Sequence, residues 1–69
     1  MVEVFKTNVL QKHKSRVLLS ELSKSFPRHK INFDLADCDK ILRVEGNAIP
    51  LQQIIKLLNE NGYSCEVLS

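Results

Sequence analysis

The thiols are the residues in this chain with the greatest intrinsic reactivity. Cys38 and Cys65 are distant in sequence and form no Cys-x-x-Cys pair, so neither a zinc-knuckle spacing nor a redox motif is present. The only glycines, Gly46 and Gly62, cannot build a glycine-rich phosphate loop. No serine, histidine and acid form a recognisable constellation. The sequence therefore predicts no catalytic residues, no cofactor and no enzymatic activity.

Each cysteine also has its own sequence context. Cys38 stands between Asp37 and Asp39, whose negative charge disfavours a thiolate, and turn-forming neighbours predict that it is exposed. Cys65 alternates with Tyr63 and Val67, which predicts a small buried hydrophobic side chain. A disulfide between the two cysteines is not expected, because the predicted turn and the last strand should lie apart.

A basic cluster is the second chemical feature, and it consists of Lys12, His13, Lys14 and Arg16. An imidazole can bind a metal or an anion, but its cationic neighbours are poor metal ligands at neutral pH. We therefore predict no metal site. If the chain does bind a metal, His13 and Cys38 are the candidate ligands. The cluster is better suited to binding an acidic partner than to binding a metal ion. His29 is predicted to be an exposed connection without a role.

Composition bounds the kind of protein. The chain has 69 residues, 43% hydrophobic and 26% charged, which predicts one small folded domain over residues 1–69. The net charge is only +2, but residues 1–30 carry seven bases and two acids while the remainder is acidic. No apolar run approaches the length of a membrane span, and the first seven residues do not resemble a signal peptide. We expect a cytoplasmic protein that does not bind a membrane.

Hydrophobic periodicity then predicts the elements that position these residues. Residues 2–7 are rich in β-formers and predict a strand near the middle of a sheet. Apolar residues at 10, 17, 18, 19, 22 and 26 predict one face of a helix that Pro27 ends. Either Asn8 or Ser15 is the expected N-cap of this helix.

The second half of the chain predicts a hairpin, a helix and a strand. Alternating residues 31–35 and 41–45 form two strands around a turn at residues 37–39. A helix with Pro50 in its first turn ends before Gly62, and a last strand includes Cys65. The order predicts a ferredoxin-like βαββαβ sandwich of the α+β class, with a four-stranded antiparallel sheet and both helices on one face. Its open face lacks stacking aromatics on the third strand, so no nucleic-acid binding is expected.

The whole chain resembles the heavy-metal-associated domain family. The matching segments are residues 22–27 leading into 31–35, residues 41–46, and residues 51–58 leading into Asn61-Gly62-Tyr63-Ser64-Cys65. The family that the chain resembles carries a Met-x-Cys-x-x-Cys loop before the first helix, where two thiolates hold a soft ion such as Cu(I). This chain has no such cysteine pair. Aligned on Phe26-Pro27, the two cysteine positions fall on Lys12 and Ser15, with Leu10 near the methionine.

The leading hypothesis is a heavy-metal-associated-like domain without the thiolate clamp, acting as a protein-binding or regulatory module. The resemblance implies that partners dock at residues 11–16, where Lys12, His13, Lys14 and Arg16 are the expected binding residues. Two alternatives remain: a metal-binding or chaperone domain with other ligands, and a self-associating structural unit whose open face includes Val2 and Val4. A monomer or weak homodimer is expected.

Overall fold

Six secondary-structure elements follow one another in the predicted order. The structure, a computed structural model, describes residues 1–36 and 38–68. The elements are β1 (Val2–Thr7), α1 (Lys12–Ser25), β2 (Lys30–Asp34), β3 (Ile41–Glu45), α2 (Leu51–Glu60) and β4 (Cys65–Leu68). Asp37, which the sequence assigns to the hairpin turn, lies outside the described residues. The predicted ferredoxin-like βαββαβ fold is confirmed.

The four strands form one antiparallel sheet in the order β2-β3-β1-β4. β1 is central, as its β-rich sequence predicts, and Phe5 pairs with Leu42 on one side and Val67 on the other. Successive side chains of a strand point to opposite faces. Phe5 and Leu42 are therefore buried on the helix-covered face, while Val4 and Arg43 share the open face.

The core lies between this sheet and the two helices. Its buried apolar side chains are Phe5, Val9, Leu18, Leu22, Ile31, Leu42, Val44, Ile54 and Leu58. Leu18 and Leu22 come from α1 and Ile54 and Leu58 from α2, which places both helices on the same face of the sheet. Val9 belongs to the β1–α1 loop and lies outside every predicted periodic segment. Its burial anchors that loop to the core.

Helix α1 begins later than its apolar pattern suggests, and both predicted N-caps are wrong. The N-cap residue is Gln11, which makes no side-chain cap hydrogen bond. Asn8 Oδ1 instead accepts a hydrogen bond from the Ser64 amide at 2.8 Å, which joins the β1–α1 loop to the segment before β4. Ser15 lies inside the first turn, where its hydroxyl donates to the Lys12 carbonyl at 2.6 Å. Neither Asn8 nor Ser15 therefore caps the helix.

Two apolar residues predicted on the buried face of α1 are exposed. Leu10 precedes the helix and is 73% exposed, and Val17 is 59% exposed. Adjacent helical residues are about 100° apart, so the consecutive apolar residues 17, 18 and 19 cannot all face the core. Leu18 is the one that packs fully into it.

The end of α2 adopts the glycine-dependent termination that its sequence predicts. Gly62 has φ +88°, its amide donates to the Asn59 carbonyl at 3.0 Å, and the Tyr63 amide donates to the Leu58 carbonyl at 2.9 Å. This pair of hydrogen bonds defines a Schellman motif, which satisfies carbonyls at the end of the helix. Tyr63, which follows this motif, lines a hollow together with residues from the first turns of α1, including Lys14.

His29 is a half-buried structural residue, so its prediction as an exposed connection is wrong. Its Nε2 lies 2.8 Å from the Asn47 carbonyl oxygen and its ring meets Phe26 edge to face, with centroids 6.5 Å apart. Nε2 must donate in this hydrogen bond, because a carbonyl oxygen only accepts. The ring lies against Gly46, and thereby links the start of β2 to the loop between β3 and α2.

Candidate functional site

The four predicted binding residues lie together at the start of α1. We call Lys12, His13, Lys14 and Arg16 the basic surface. All four are exposed, and Lys12 is the first residue of the helix. The buried Val9 and the Asn8–Ser64 hydrogen bond hold the preceding loop in place. The fold therefore presents these cationic side chains from an anchored backbone.

No residue of the basic surface forms an ion pair within 4.0 Å among residues 1–36 and 38–68. The ion pairs found there join Lys6 to Asp39 at 3.9 Å and Arg43 to Glu45 at 4.0 Å, both on the sheet side of the molecule. The first turn of α1 carries no acidic residue. Because a helix N-terminus already carries partial positive charge, bases there are unfavourable for the helix itself. Helix stability therefore gives no reason for this cluster.

The two positions that align with the family's cysteines have different surroundings. Lys12 is exposed, whereas Ser15 is only 6% exposed. The Ser15 hydroxyl is already engaged in its hydrogen bond to the Lys12 carbonyl. An exposed ammonium and a buried hydroxyl are poor ligands for a soft ion, which prefers thiolate sulfur.

The two candidate metal ligands are both exposed but belong to different elements. His13 is in the first turn of α1, and Cys38 is in the turn between β2 and β3. In the part of the chain that the structure describes, no group of three histidine, cysteine, aspartate or glutamate side chains is placed to hold a metal ion. Among these residues, neither His13 nor Cys38 therefore has enough neighbouring ligands to complete a metal site.

Cys65 lies at the start of β4 and is half-buried against the core, close to its prediction as a small buried hydrophobic residue. Burial, with a smaller contribution from the negative charge of Glu66, raises the pKa of the Cys65 thiol to about 11. The thiol is therefore protonated at neutral pH. Cys65 and Cys38 are both free cysteines.

A groove that sequence analysis missed adjoins the basic surface. It contains two neighbouring hollows with Lys14 and Tyr63 in the wall of both. The first hollow has a volume of about 320 Å³ and the second about 200 Å³. Val17 contributes to the first and Leu10 to the second. The only sequence signal for this groove was the run of three apolar residues at 17–19, one more than a single helical face can bury.

Comparison with known proteins supports the fold. No protein-family model matches the chain, and no curated protein is significantly similar to it. Among solved structures, the N-terminal domain of PacS from Synechocystis PCC6803 superposes with a TM-score of 0.71 at 13% sequence identity. The match covers 100% of this chain and 98% of that domain. The chain thus shares the ferredoxin-like fold of that domain.

Neither helix is suited to span a membrane. Both α1 and α2 lack the length and hydropathy needed to cross a bilayer, and no other helix occurs in residues 1–36 and 38–68.

Proposed function

We propose that this chain is a non-enzymatic, protein-binding or regulatory module that lacks the family's thiolate clamp and binds an acidic partner through the basic surface. The observation that carries this proposal is a cluster of exposed cationic side chains at the start of α1 that form no ion pair within 4.0 Å among the described residues. The loop before them is anchored by Val9 and Asn8, so the charges are presented in a defined arrangement. Complementary charge accelerates association and selects partners of opposite sign.

The residues at the family's metal positions favour this function over metal transfer. Lys12 supplies a cation where the resemblance implies a thiolate. Ser15, at the other cysteine position, is buried, and its hydroxyl donates a hydrogen bond to the Lys12 carbonyl. A Cu(I) ion would meet positive charge rather than sulfur at this place. The same change makes the surface attractive to carboxylates.

A triple charge reversal tests the proposal. The variant K12E/K14E/R16E should lose capture of the partner from an extract of the source cells, because its surface then repels acidic proteins. Its melting temperature should be unchanged or slightly higher, since acidic residues suit a helix N-terminus. Capture is measured by quantitative mass spectrometry on the immobilised chain, and stability by thermal denaturation.

The control variant K24E/R28E/K56E makes the same change in charge at exposed positions elsewhere. It should retain the partner, which separates a local surface from an effect of net charge. Equal loss in both triple variants would contradict a specific surface, and collapse of the K12E/K14E/R16E fold would assign the segment a structural role.

Titration with Cu(I) and then Zn(II) under reducing conditions tests the metal-binding alternative. We expect no saturable amide shifts at residues 11–16 in two-dimensional NMR spectra. Saturable shifts confined to that segment at micromolar ion would overturn the proposed function and establish a metal site with unusual ligands.

A further inference from the structure

The walls of the groove beside the basic surface include Leu10 and Val17, two apolar side chains that are exposed rather than packed in the core. Its first hollow is lined by His13, Lys14, Val17, Leu18, Asn61 and Tyr63. Its second hollow is lined by Asn8, Leu10, Gln11, Lys14 and Tyr63. Because Lys14 and Tyr63 line both, the two hollows are adjacent, and together we call them the anchor groove.

Leu10 and Val17 are the apolar residues that make the anchor groove unusual. They are 73% and 59% exposed, among the most exposed large apolar side chains of the chain. Exposed apolar surface gains free energy when a partner removes it from water, at about 25 cal/mol for each Å² buried. Leu10 and Val17 flank the basic surface in sequence, and Lys14 lies in the walls of both hollows. Apolar and electrostatic contacts are therefore available to the same ligand.

Hydrogen bonds hold both ends of the anchor groove. The Asn8–Ser64 bond fixes the β1–α1 loop beside Tyr63. Asn61 Nδ2 donates to Glu21 Oε2 at 3.1 Å, which fixes the end of α2 against α1. Because the loop and the helix end that carry the groove are held before any ligand binds, ordering these segments adds little cost on association.

We propose that the anchor groove binds an acidic peptide segment of a partner protein, with apolar side chains in its hollows and carboxylates against the basic surface. This inference rests on the proposed function and specifies the chemistry of its partner. A peptide is favoured over a membrane surface because the apolar residues line concave hollows that receive individual side chains. It is favoured over a small anion because two adjoining hollows and several separate cations require a ligand of matching extent.

Three synthetic peptides serve as probes in amide NMR titrations of the full chain. One is an acidic peptide with two leucines, the second replaces both leucines by serine, and the third replaces its acids by lysine. The acidic leucine peptide should shift residues 8–18 and 61–63 and bind about tenfold or more tighter than the serine peptide, through the burial of two apolar side chains. The lysine peptide should not bind, because it meets like charge.

Variants of the groove walls identify the contact. Leu10→Ser and Val17→Ser should each weaken the acidic leucine peptide by about fivefold to tenfold and leave the serine peptide unaffected. The matched control is Val2→Ser, an exposed apolar residue (42%) on the open face of the sheet, which should change neither affinity. All three exposed substitutions should leave the melting temperature essentially unchanged.

The outcomes separate this inference from the proposed function. One outcome is that the acidic leucine and serine peptides bind equally, with no effect of Leu10→Ser or Val17→Ser. That result would overturn the proposed role of the anchor groove but not the proposed role of the basic surface. Failure of both acidic peptides to bind would overturn both proposals. Tighter association with anionic phosphatidylglycerol vesicles than with the peptide would assign the surface to a membrane, and hexanoate binding as tight as the peptide would assign it to a small anion.

Discussion

At the scale of single residues, Cys65 shows how position within a strand changes the chemistry of a thiol. It lies half-buried against the core at the start of β4, and Glu66 is adjacent. Both the loss of hydration and the nearby negative charge disfavour a thiolate. The residue therefore acts as a small hydrophobic side chain, while Cys38 is exposed in a turn.

This environment predicts slow alkylation of Cys65. A pKa raised from 9.0 to about 11 lowers the thiolate fraction at pH 8 by about 100-fold. In a Cys38→Ser background, iodoacetamide should therefore react about 100-fold more slowly with folded than with urea-unfolded chain, measured by mass spectrometry. The rate for the folded chain should rise with pH up to about 11. Equal rates in the folded and unfolded chain would contradict the raised pKa.

The same shift has a consequence for stability against pH. The raised pKa means that the folded state holds the thiol proton more tightly than the unfolded state does. The protonated thiol therefore contributes its stabilisation fully below pH 9.0, and this contribution is lost as pH rises through about 11. Cys65→Ala should show a weaker decline in stability over that interval in urea denaturation.

At the scale of elements, one close contact couples the start of β2 to the loop between β3 and α2. Gly46 has φ +149°, and a Cβ placed there would lie 2.7 Å from Cδ2 of His29. That distance is shorter than van der Waals contact, and the backbone angle is also unfavourable for other residues. Only glycine allows the imidazole to lie there and donate to the Asn47 carbonyl.

Gly46→Ala should consequently destabilise the chain. We expect a loss of about 2 kcal/mol or more in the free energy of unfolding, and a melting temperature lower by about 10 °C. Gly62→Ala is the matched control, since Gly62 also has positive φ but a Cβ added there would meet no atom of the described residues within 4 Å beyond its chain neighbours. It should cost only about 1 kcal/mol.

A double-mutant cycle separates the steric contact from backbone strain. In a His29→Ala background the cost of Gly46→Ala should fall toward that of Gly62→Ala, because the clashing ring is gone. An unchanged cost in both backgrounds would show that the backbone angle alone requires glycine at position 46.

At the scale of the whole molecule, charge is distributed unevenly over the fold. The basic surface lies at the start of α1, while the open face of the sheet mixes signs, as in the Arg43–Glu45 pair. Val2 and Leu68 are exposed on that open face, at 42% and 37%. The open face is thus partly apolar but interrupted by charge.

This surface predicts a monomer at micromolar concentration and, at most, weak dimerisation at millimolar concentration. Stable homodimers bury roughly 800 Å² or more on each partner, which two partly exposed side chains among charges do not supply. Sedimentation equilibrium over that range, under reducing conditions, measures the association. A Val2→Lys variant should remove any dimer that forms through this face. A stable dimer at micromolar concentration would instead favour the structural-unit alternative.

Sequence periodicity was sufficient for the architecture because each element buries one regular face. The alternation of residues 31–35 and 41–45 predicted β2 and β3, and Pro27 and Gly62 marked where α1 and α2 end. The basic surface was also visible, since adjacent bases in a chain remain neighbours on any loop or first helical turn. These features depend on local chemistry and short spacing.

Tertiary structure alone decided the features that depend on residues distant in sequence. Asn8 bonds to Ser64 rather than capping α1, and Val9 is buried although it belongs to a loop. Tyr63 and Lys14 line the same hollows of the anchor groove although they are distant in sequence. The sequence by itself determined which faces are apolar and where charge accumulates. Which of those side chains reach the core and which stay exposed depended on how the helices pack on the sheet, because burial is a property of the assembled chain.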